Sequence, residues 1–336
     1  MKNVLKRIAI IVIVILAVVA VSAGIAYVAT NGDYRPPATV DTDPTLPQIT
    51  LGSHAFHSET FGSPENPTLV VLHGGPGGDY RYLLNLQVLA DDYFVVFYDQ
   101  RGSGLSTRVE ANTLTTQDMI DDLDLFVEHY SPDQPIYLIG HSWGAMLAAG
   151  YIGQHPEKVA KVVLAEPGAL TDAAMEQFLA HFSSILDVDF MLSVVPVFFE
   201  ALHIADAQER ADYIAGRTSS MWENDPANPY HCPGVNHERL VWRSGAAASD
   251  AILANARHAD GTPDLSILSE NAHNFTNPVL FLASACNAWL GEDLQRQQAA
   301  LFPVAEVVVI ENAGHNMFID NPEASLAAVR AYFNES

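Results

Sequence analysis

A serine held at a sharp junction between a strand and a helix is what most restricts the folds open to this chain. Ile136-Tyr137-Leu138-Ile139 is an apolar run of strand length, Ala145-Met146-Leu147-Ala148-Ala149 reads as the start of a helix, and Gly140-His141-Ser142-Trp143-Gly144 joins the two. A hydroxyl is a poor nucleophile until it is held exposed beside a base, and a tight strand-to-helix turn holds it so. Small residues two before and two after the serine let strand and helix pack closely around the strained backbone. The pattern alone is short enough to arise by chance, so two further features carry the reading.

Upstream, Thr68-Leu69-Val70-Val71-Leu72 reads as a buried strand that runs into His73-Gly74-Gly75-Pro76-Gly77-Gly78. Where such a serine turn exists, a glycine-rich loop after the third strand supplies one backbone N–H to an oxyanion and the residue after the nucleophile supplies the other. That assigns the two donors to Gly75 and Trp143. Glycine and proline also punctuate ordinary loops, but a loop after a buried strand and well before the serine fits the donor role better. Near the C-terminus, Ala305 to Ile310 reads as a strand, Glu311-Asn312-Ala313-Gly314-His315 as the loop after it, and Pro322 to Phe333 as a helix. His315 is the last histidine of the chain, so it is the last that could act as base in the order serine, acid, histidine.

His73 to Gly78, Asp99-Gln100-Arg101-Gly102-Ser103-Gly104-Leu105-Ser106 and Gly140 to Gly144 together resemble the proline iminopeptidase family of α/β-hydrolases. The likeness covers residues 48–168 and 270–336 and fades between them. The glycine-proline loop is the most family-specific of the three motifs; the other two occur more widely in the superfamily. Family members more often carry glycine where this chain has His141. The resemblance implies an α/β-hydrolase fold, an α/β architecture with a mostly parallel central sheet and a helical cap inserted after the sixth strand. Strands read at 68–72, 93–98, 136–140, 159–165, 278–282 and 305–310, most of them continuous apolar runs as buried parallel strands require. Thr116 to Tyr130 reads as a helix with Asp118, Asp121, Asp122 and Asp124 on its outer side. The strand-helix alternation stops over residues 169–269, the expected cap, which separates core segments 48–168 and 270–336. Phe178, Phe182, Phe190, Met191, Phe198, Phe199, Tyr213, Met221, Trp222 and Trp242 lie in that stretch, most of them read as the cap's own core and a few as the roof of an apolar pocket.

The triad acid departs from the family pattern. It usually lies just past the seventh strand, and the matching position here is Asn287. Asparagine cannot carry the charge that stabilises imidazolium and can favour the wrong tautomer, an exchange that costs a serine protease about four orders of magnitude. Glu166 is the candidate replacement: it closes the sixth strand, 24 residues after Ser142. The sixth and seventh strands are neighbours in this fold, and the placement resembles that of some haloalkane dehalogenases. Pro167 is expected to hold Glu166 extended. Glu292, Asp293 and the absence of any functional acid are the alternatives.

Lys2, Lys6 and Arg7 precede Ile8 to Val28, 21 residues without a charge. That length matches a bilayer's hydrocarbon core and exceeds the apolar region of about 7 to 15 residues in a signal peptide. An uncleaved anchor within residues 1–30 is therefore favoured, although Val21-Ser22-Ala23 offers a cleavage site. Basic residues stay in the cytoplasm, which puts the remainder outside it, anchored or released. Residues 31–47, with Pro36, Pro37, Pro44 and Pro47, read as an extended linker. The 336 residues include 40 acidic and 16 basic ones, a net charge of -24. Such a surface repels nucleic acid and either concentrates cationic ligands or merely solubilises. Cys232 and Cys286 are the only cysteines; an oxidising location permits them to pair, and the sequence gives no distance. No cysteine-histidine spacing suggests a metal site.

By resemblance the chain is a serine hydrolase whose substrate is a short peptide or small amide, releasing an N-terminal residue such as proline without a cofactor. Met221-Trp222-Glu223 resembles the tryptophan-glutamate pair on a cap helix of that family, where the glutamate faces the substrate's amino terminus. A second reading keeps the mechanism and changes the substrate to an ester or lactone. A third, motivated by Asn287, is a non-catalytic binding protein on a hydrolase scaffold. Relatives that hydrolyse epoxides or haloalkanes carry aspartate where this chain has Ser142. The sequence does not set the oligomeric state.

Overall fold

The apolar runs become the parallel centre of one eight-stranded sheet. The structure, a computed structural model, describes residues 2–183, 188–237 and 240–334. Its strands are β1 (Gln48–Leu51), β2 (His54–Phe61), β3 (Thr68–Leu72), β4 (Phe94–Tyr98), β5 (Ile136–His141), β6 (Val159–Ala165), β7 (Val279–Ser284) and β8 (Ala305–Ile310). They are ordered β1-β2-β4-β3-β5-β6-β7-β8. β2 runs antiparallel to β1 and β4, and all other pairs are parallel. β3 and β7 are buried at every position, as strands covered on both faces must be. The β1–β2 hairpin is not among the strands the apolar runs predict. Its buried positions include His57 and Ser58, whose polar atoms reach Asp99 at 2.8 Å and the Phe97 carbonyl at 2.7 Å.

The helices are α1 (Lys2–Ala29), α2 (Thr116–Tyr130), α3 (Trp143–Gln154), α4 (Asp172–Ser183), α5 (Val188–Ser193), α6 (Val195–Ala201), α7 (Ala207–Glu223), α8 (Ala246–Asn255), α9 (Ser266–Ser269), α10 (Glu292–Ala299), α11 (Met317–Asp320) and α12 (Pro322–Asn334). α2 and α3 pack on one face of the sheet, and α12 with the 3-10 segment Arg81–Asp91 packs on the other. α2 opens on a reciprocal capping box between Thr115 and Asp118. Asp122 of that helix does not face outward as its sequence suggests. It is buried and grips the Arg101 guanidinium through both oxygens at 2.5 Å, because a guanidinium taken out of water needs a fork of acceptors.

α4 to α9 lie between β6 and β7. α8 and α9 return to the core, where Ala248, Ile252 and Leu268 join the cluster beneath the sheet. α7 is clamped to the loop after β4 by Asp212, which accepts from Arg243 Nε at 2.8 Å, from Arg108 Nη2 at 3.1 Å and from the Ala246 N–H at 3.0 Å. Asp212→Ala takes the carboxylate partner from the buried Arg243 and from Arg108, so it should cost about 3 to 5 kcal/mol. A denaturant titration read by tryptophan fluorescence checks this, and an unchanged midpoint contradicts it. Of the aromatic positions in this region, Phe178 and Trp222 pack around Tyr230, with Trp289 beside Tyr230, and Trp242 sits edge-on to Tyr80. Phe198 and Met191 are exposed, against the expectation of a closed cap core. The Phe182 side chain lies outside the described residues. Cys232 and Cys286 are joined, with Cα atoms 4.9 Å apart, which ties the segment after α7 to the end of β7.

Candidate active site

Gly75, Ser142, Trp143, Glu166 and His315 sit at or just past the C-terminal ends of parallel strands, the edge where open α/β sheets bind ligands. Ser142 follows β5 with φ 55° and ψ -121°, a region an L-residue occupies only when its surroundings hold it there. A Cβ on Gly140 would run into the Gly144 carbonyl oxygen, and one on Gly144 into that of Leu72, which is why both positions are glycine. The Ser142 N–H donates to the Ala165 carbonyl at 2.9 Å and its own carbonyl accepts from the Ala145 and Met146 N–H groups, so the turn is pinned to β6 and to the start of α3. The half-buried Ser142 hydroxyl has no hydrogen-bond partner among the described residues.

The glycine-rich loop after β3 approaches Ser142 so closely that a Cβ on Gly74 would lie 3.0 Å from the serine Cβ. Among the described residues the N–H groups of Gly75 and Trp143 have no protein acceptor, which leaves both able to donate to a bound group. Gln100 ties the two together. Its side-chain amide donates to the His73 carbonyl at 2.9 Å, and its side-chain oxygen accepts from Trp143 Nε1 at 2.9 Å. The Gln100 N–H donates to His73 Nε2 at 3.0 Å, so the His73 proton sits on Nδ1 and points to the Gly74 carbonyl at 2.8 Å. Burial lowers the His73 pKa and keeps that ring neutral. The Asp-Gln-Arg-Gly motif thus ties the glycine-rich loop to Trp143.

His315 Nδ1 donates to Glu166 Oε2 at 2.7 Å, and Glu166 is fully buried. Glu166 Oε1 accepts from the Ser284 N–H at 2.9 Å and the Ser284 hydroxyl at 2.5 Å, and Oε2 also accepts from Asn287 Nδ2 at 3.0 Å. Four donors hold this carboxylate in one orientation, and its contact with Nδ1 fixes which ring nitrogen of His315 carries the proton. Asn287, at the position where the resemblance places aspartate, is a donor to Glu166; its side-chain oxygen is held by the Trp289 and Leu290 N–H groups at 3.0 Å each. Glu166 does not adopt the extended conformation expected before Pro167. It has φ 47°, because its N–H reaches across to the Leu282 carbonyl at 2.9 Å and the chain must turn sharply to aim the carboxylate past β7. Glu292 and Asp293 are exposed on α10, where Glu292 pairs with Arg296.

His315 Nε2, the ring nitrogen that Glu166 leaves, has no partner among the described residues. His141 links His315 to the glycine-rich loop. Its Nε2 donates to the His315 carbonyl at 2.7 Å, which leaves Nδ1 to accept from the Tyr82 hydroxyl at 2.7 Å, and that hydroxyl accepts from the Gly74 N–H at 2.8 Å. Burial, then the proximity of His315, pushes the His141 pKa well below the ordinary value. Tyr82 and Ser284 escape a reading based on motifs, and Gln100 lies in a motif that by itself assigns it no role. The histidine in a glycine position offers one signal, since a buried imidazole needs partners on both nitrogens.

Glu223, at the end of α7, is brought to the same site. Its Oε2 accepts from His231 Nε2 at 2.8 Å and from Asn316 Nδ2 at 3.2 Å, next to the base, while Oε1 has no partner among the described residues. Glu223, His231 and His237 bring potential metal-ligand atoms within 4.8 Å of one another, as do Asp172, His258 and Asp264. In the first group His237 Nε2 is already paired with Asp320 at 2.7 Å.

The alpha/beta hydrolase fold family matches residues 67–322. The chain is 26% identical over 287 residues to a proline iminopeptidase of Heyndrickxia coagulans, covering 83% of this chain and 93% of that one. It is 29% identical over 298 residues to a proline iminopeptidase of Xylella fastidiosa strain Temecula1, covering 79% and 88%. A proline iminopeptidase-related protein from Thermus thermophilus, solved by crystallography, is similar with a TM-score of 0.57 at 24% identity, covering 85% and 95%; that likeness concerns the fold.

Proposed function

This chain belongs to the alpha/beta hydrolase fold family, and on that premise we propose that it is a serine hydrolase that removes the N-terminal residue from a short peptide or small amide through an acyl-enzyme. The observation that carries the reading is the Glu166–His315 hydrogen bond of 2.7 Å behind a serine at a strained turn. His315 Nε2 takes the Ser142 proton as Oγ bonds to the scissile carbonyl carbon. The N–H groups of Gly75 and Trp143 receive the oxyanion, and His315 returns the proton to the leaving amine as the C–N bond breaks. Water, deprotonated by the same imidazole, releases the acid. Free Oγ and Nε2 atoms before substrate arrives suit this cycle, since catalytic hydrogen bonds commonly tighten only in the complex.

Glu223 Oε1 is the proposed partner of the substrate's ammonium group, and the helices over the sheet edge act as the cap that buries it. Glu223→Gln should raise KM for proline p-nitroanilide roughly 10-fold to 100-fold, the worth of a hydrogen bond to a charged group, and leave p-nitrophenyl acetate hydrolysis unchanged. Equal losses on both substrates would remove the recognition role. A second reading, an esterase or lactonase, is favoured by the His231 contact to Glu223, which supplies a partner to the carboxylate before any substrate does. Ester turnover without anilide turnover selects that reading.

We further propose that α1 anchors the chain and leaves the hydrolase on the extracytoplasmic side. Leu5–Ala29 is 25 residues long with none of its most apolar window buried. That length spans about 37 Å against about 30 Å of hydrocarbon. The Cys232–Cys286 bond supports an oxidising compartment.

A further inference from the structure

We propose that the outer face of α5 and α6 lies in the membrane interface beside the anchor, so that the insertion over the active site rests on lipid. The inference depends on the reading of α1 as an anchor. Val188, Met191, Leu192, Val195, Phe198 and Leu202 are between 42% and 72% exposed, and their spacing of three and four residues puts them on one stripe of a helix. Backbone hydrogen bonds from the Val194 N–H to Phe190 and from the Phe198 N–H to Val194 carry the helical path across the junction of the two segments. A different stripe of the same path, with Val194, Val197, Ala201 and Ile204, is buried against the protein. The path is therefore apolar on two sides, and the protein's own interior accounts for only one. A contiguous exposed apolar patch of this kind marks a contact with something apolar outside the chain.

The anchor identifies what that is. The last turns of α1 pack on α6, where the Tyr27 ring stacks on His203 at a centroid distance of 4.3 Å and His203 Nε2 reaches the Tyr27 carbonyl at 3.0 Å. Tyr34 lies 5.6 Å from Tyr213 in the same corner, and tyrosine rings gather where hydrocarbon gives way to headgroups. With the end of the span held against α6, the exposed stripe sits at the depth where the span leaves the bilayer. Amphipathic helices lie in that plane with their apolar face toward the acyl chains. Of the nearby acids, Glu200 is already engaged by the Tyr213 hydroxyl at 2.6 Å, whereas Asp189 is exposed. A chain of net charge -24 favours a zwitterionic surface over an anionic one.

The test uses the full chain in phosphatidylcholine vesicles. Both native cysteines are paired, so Phe198→Cys, Val28→Cys and Val304→Cys each offer a single thiol for an environment-sensitive fluorophore, read against nitroxide-bearing lipid. Val304 is exposed at the start of β8, the opposite edge of the sheet from the site. The proposal requires the labels at 198 and 28 to shift to the blue and be quenched while the label at 304 is not. A label at 198 that behaves like the one at 304, with 28 quenched, overturns the proposal and leaves the anchor. A blue shift at 198 without quenching means that protein, such as a second copy of the chain, covers the patch, and also overturns it. An unquenched label at 28 removes the anchor reading itself.

Discussion

Glu166→Gln should lower kcat by about four orders of magnitude, the cost of the equivalent exchange in a serine protease. The environment explains why an isosteric amide fails. Every partner of the Glu166 carboxylate is a donor: the Ser284 N–H and hydroxyl on one oxygen, His315 Nδ1 and Asn287 Nδ2 on the other. An amide nitrogen turned toward His315 forces the proton onto Nε2, where it cannot receive one from Ser142. Turned toward Ser284, it leaves a buried N–H facing a donor, at a cost of about 1 to 3 kcal/mol. The rate loss should therefore exceed the stability loss, and kcat measured with denaturant midpoints separates them. Near-normal kcat ends the assignment. Asn287→Asp should not improve the enzyme, although it restores the residue usual at that position. It sets a second carboxylate 3.0 Å from Glu166, and two carboxylates at that separation share one proton.

Ser142→Ala should reduce kcat by about six orders of magnitude, the loss seen when the nucleophile of a comparable triad is removed. Its thermal midpoint should stay where it is. The Ser142 hydroxyl has no partner among the described residues, the turn is held by backbone hydrogen bonds to Ala165, Ala145 and Met146, and alanine meets the same steric demand as serine at φ 55°. Residual turnover of about a thousandfold over water would persist from the oxyanion donors and binding. A lowered midpoint with retained turnover would mean that Ser142 serves the fold.

What was legible in the sequence followed from local patterns. Five of the six predicted strands agree with β3 to β7 to within two residues, β8 coincides with its prediction, and Ser142, His315 and Gly75 could be placed from the strand ends they follow. Glu166 could be named because parallel neighbours β6 and β7 end at one edge. Its backbone could not be: the turn at φ 47° answers to the Leu282 carbonyl on another strand, a contact no local rule contains. The inward turn of Asp122 was hidden for a similar reason, since its partner Arg101 lies 21 residues away. β2 was missed because buried polar side chains, satisfied across strands, erase the apolar signature, and β1 because it is four residues long with only Leu51 buried. The exposure of Met191 and Phe198 runs against the expectation that large apolar residues in an insertion form its core, because that expectation takes no account of what lies outside the chain.

Fluorophosphonate labelling of the full-length protein, followed by peptide mapping, reports on the activation of Ser142 itself, because the reagent bonds selectively to a serine activated by its base. One adduct is expected on the peptide that carries Ser142, absent in Ser142→Ala and formed far more slowly in Glu166→Gln. Folded wild-type protein that takes up no label at Ser142 would contradict that activation.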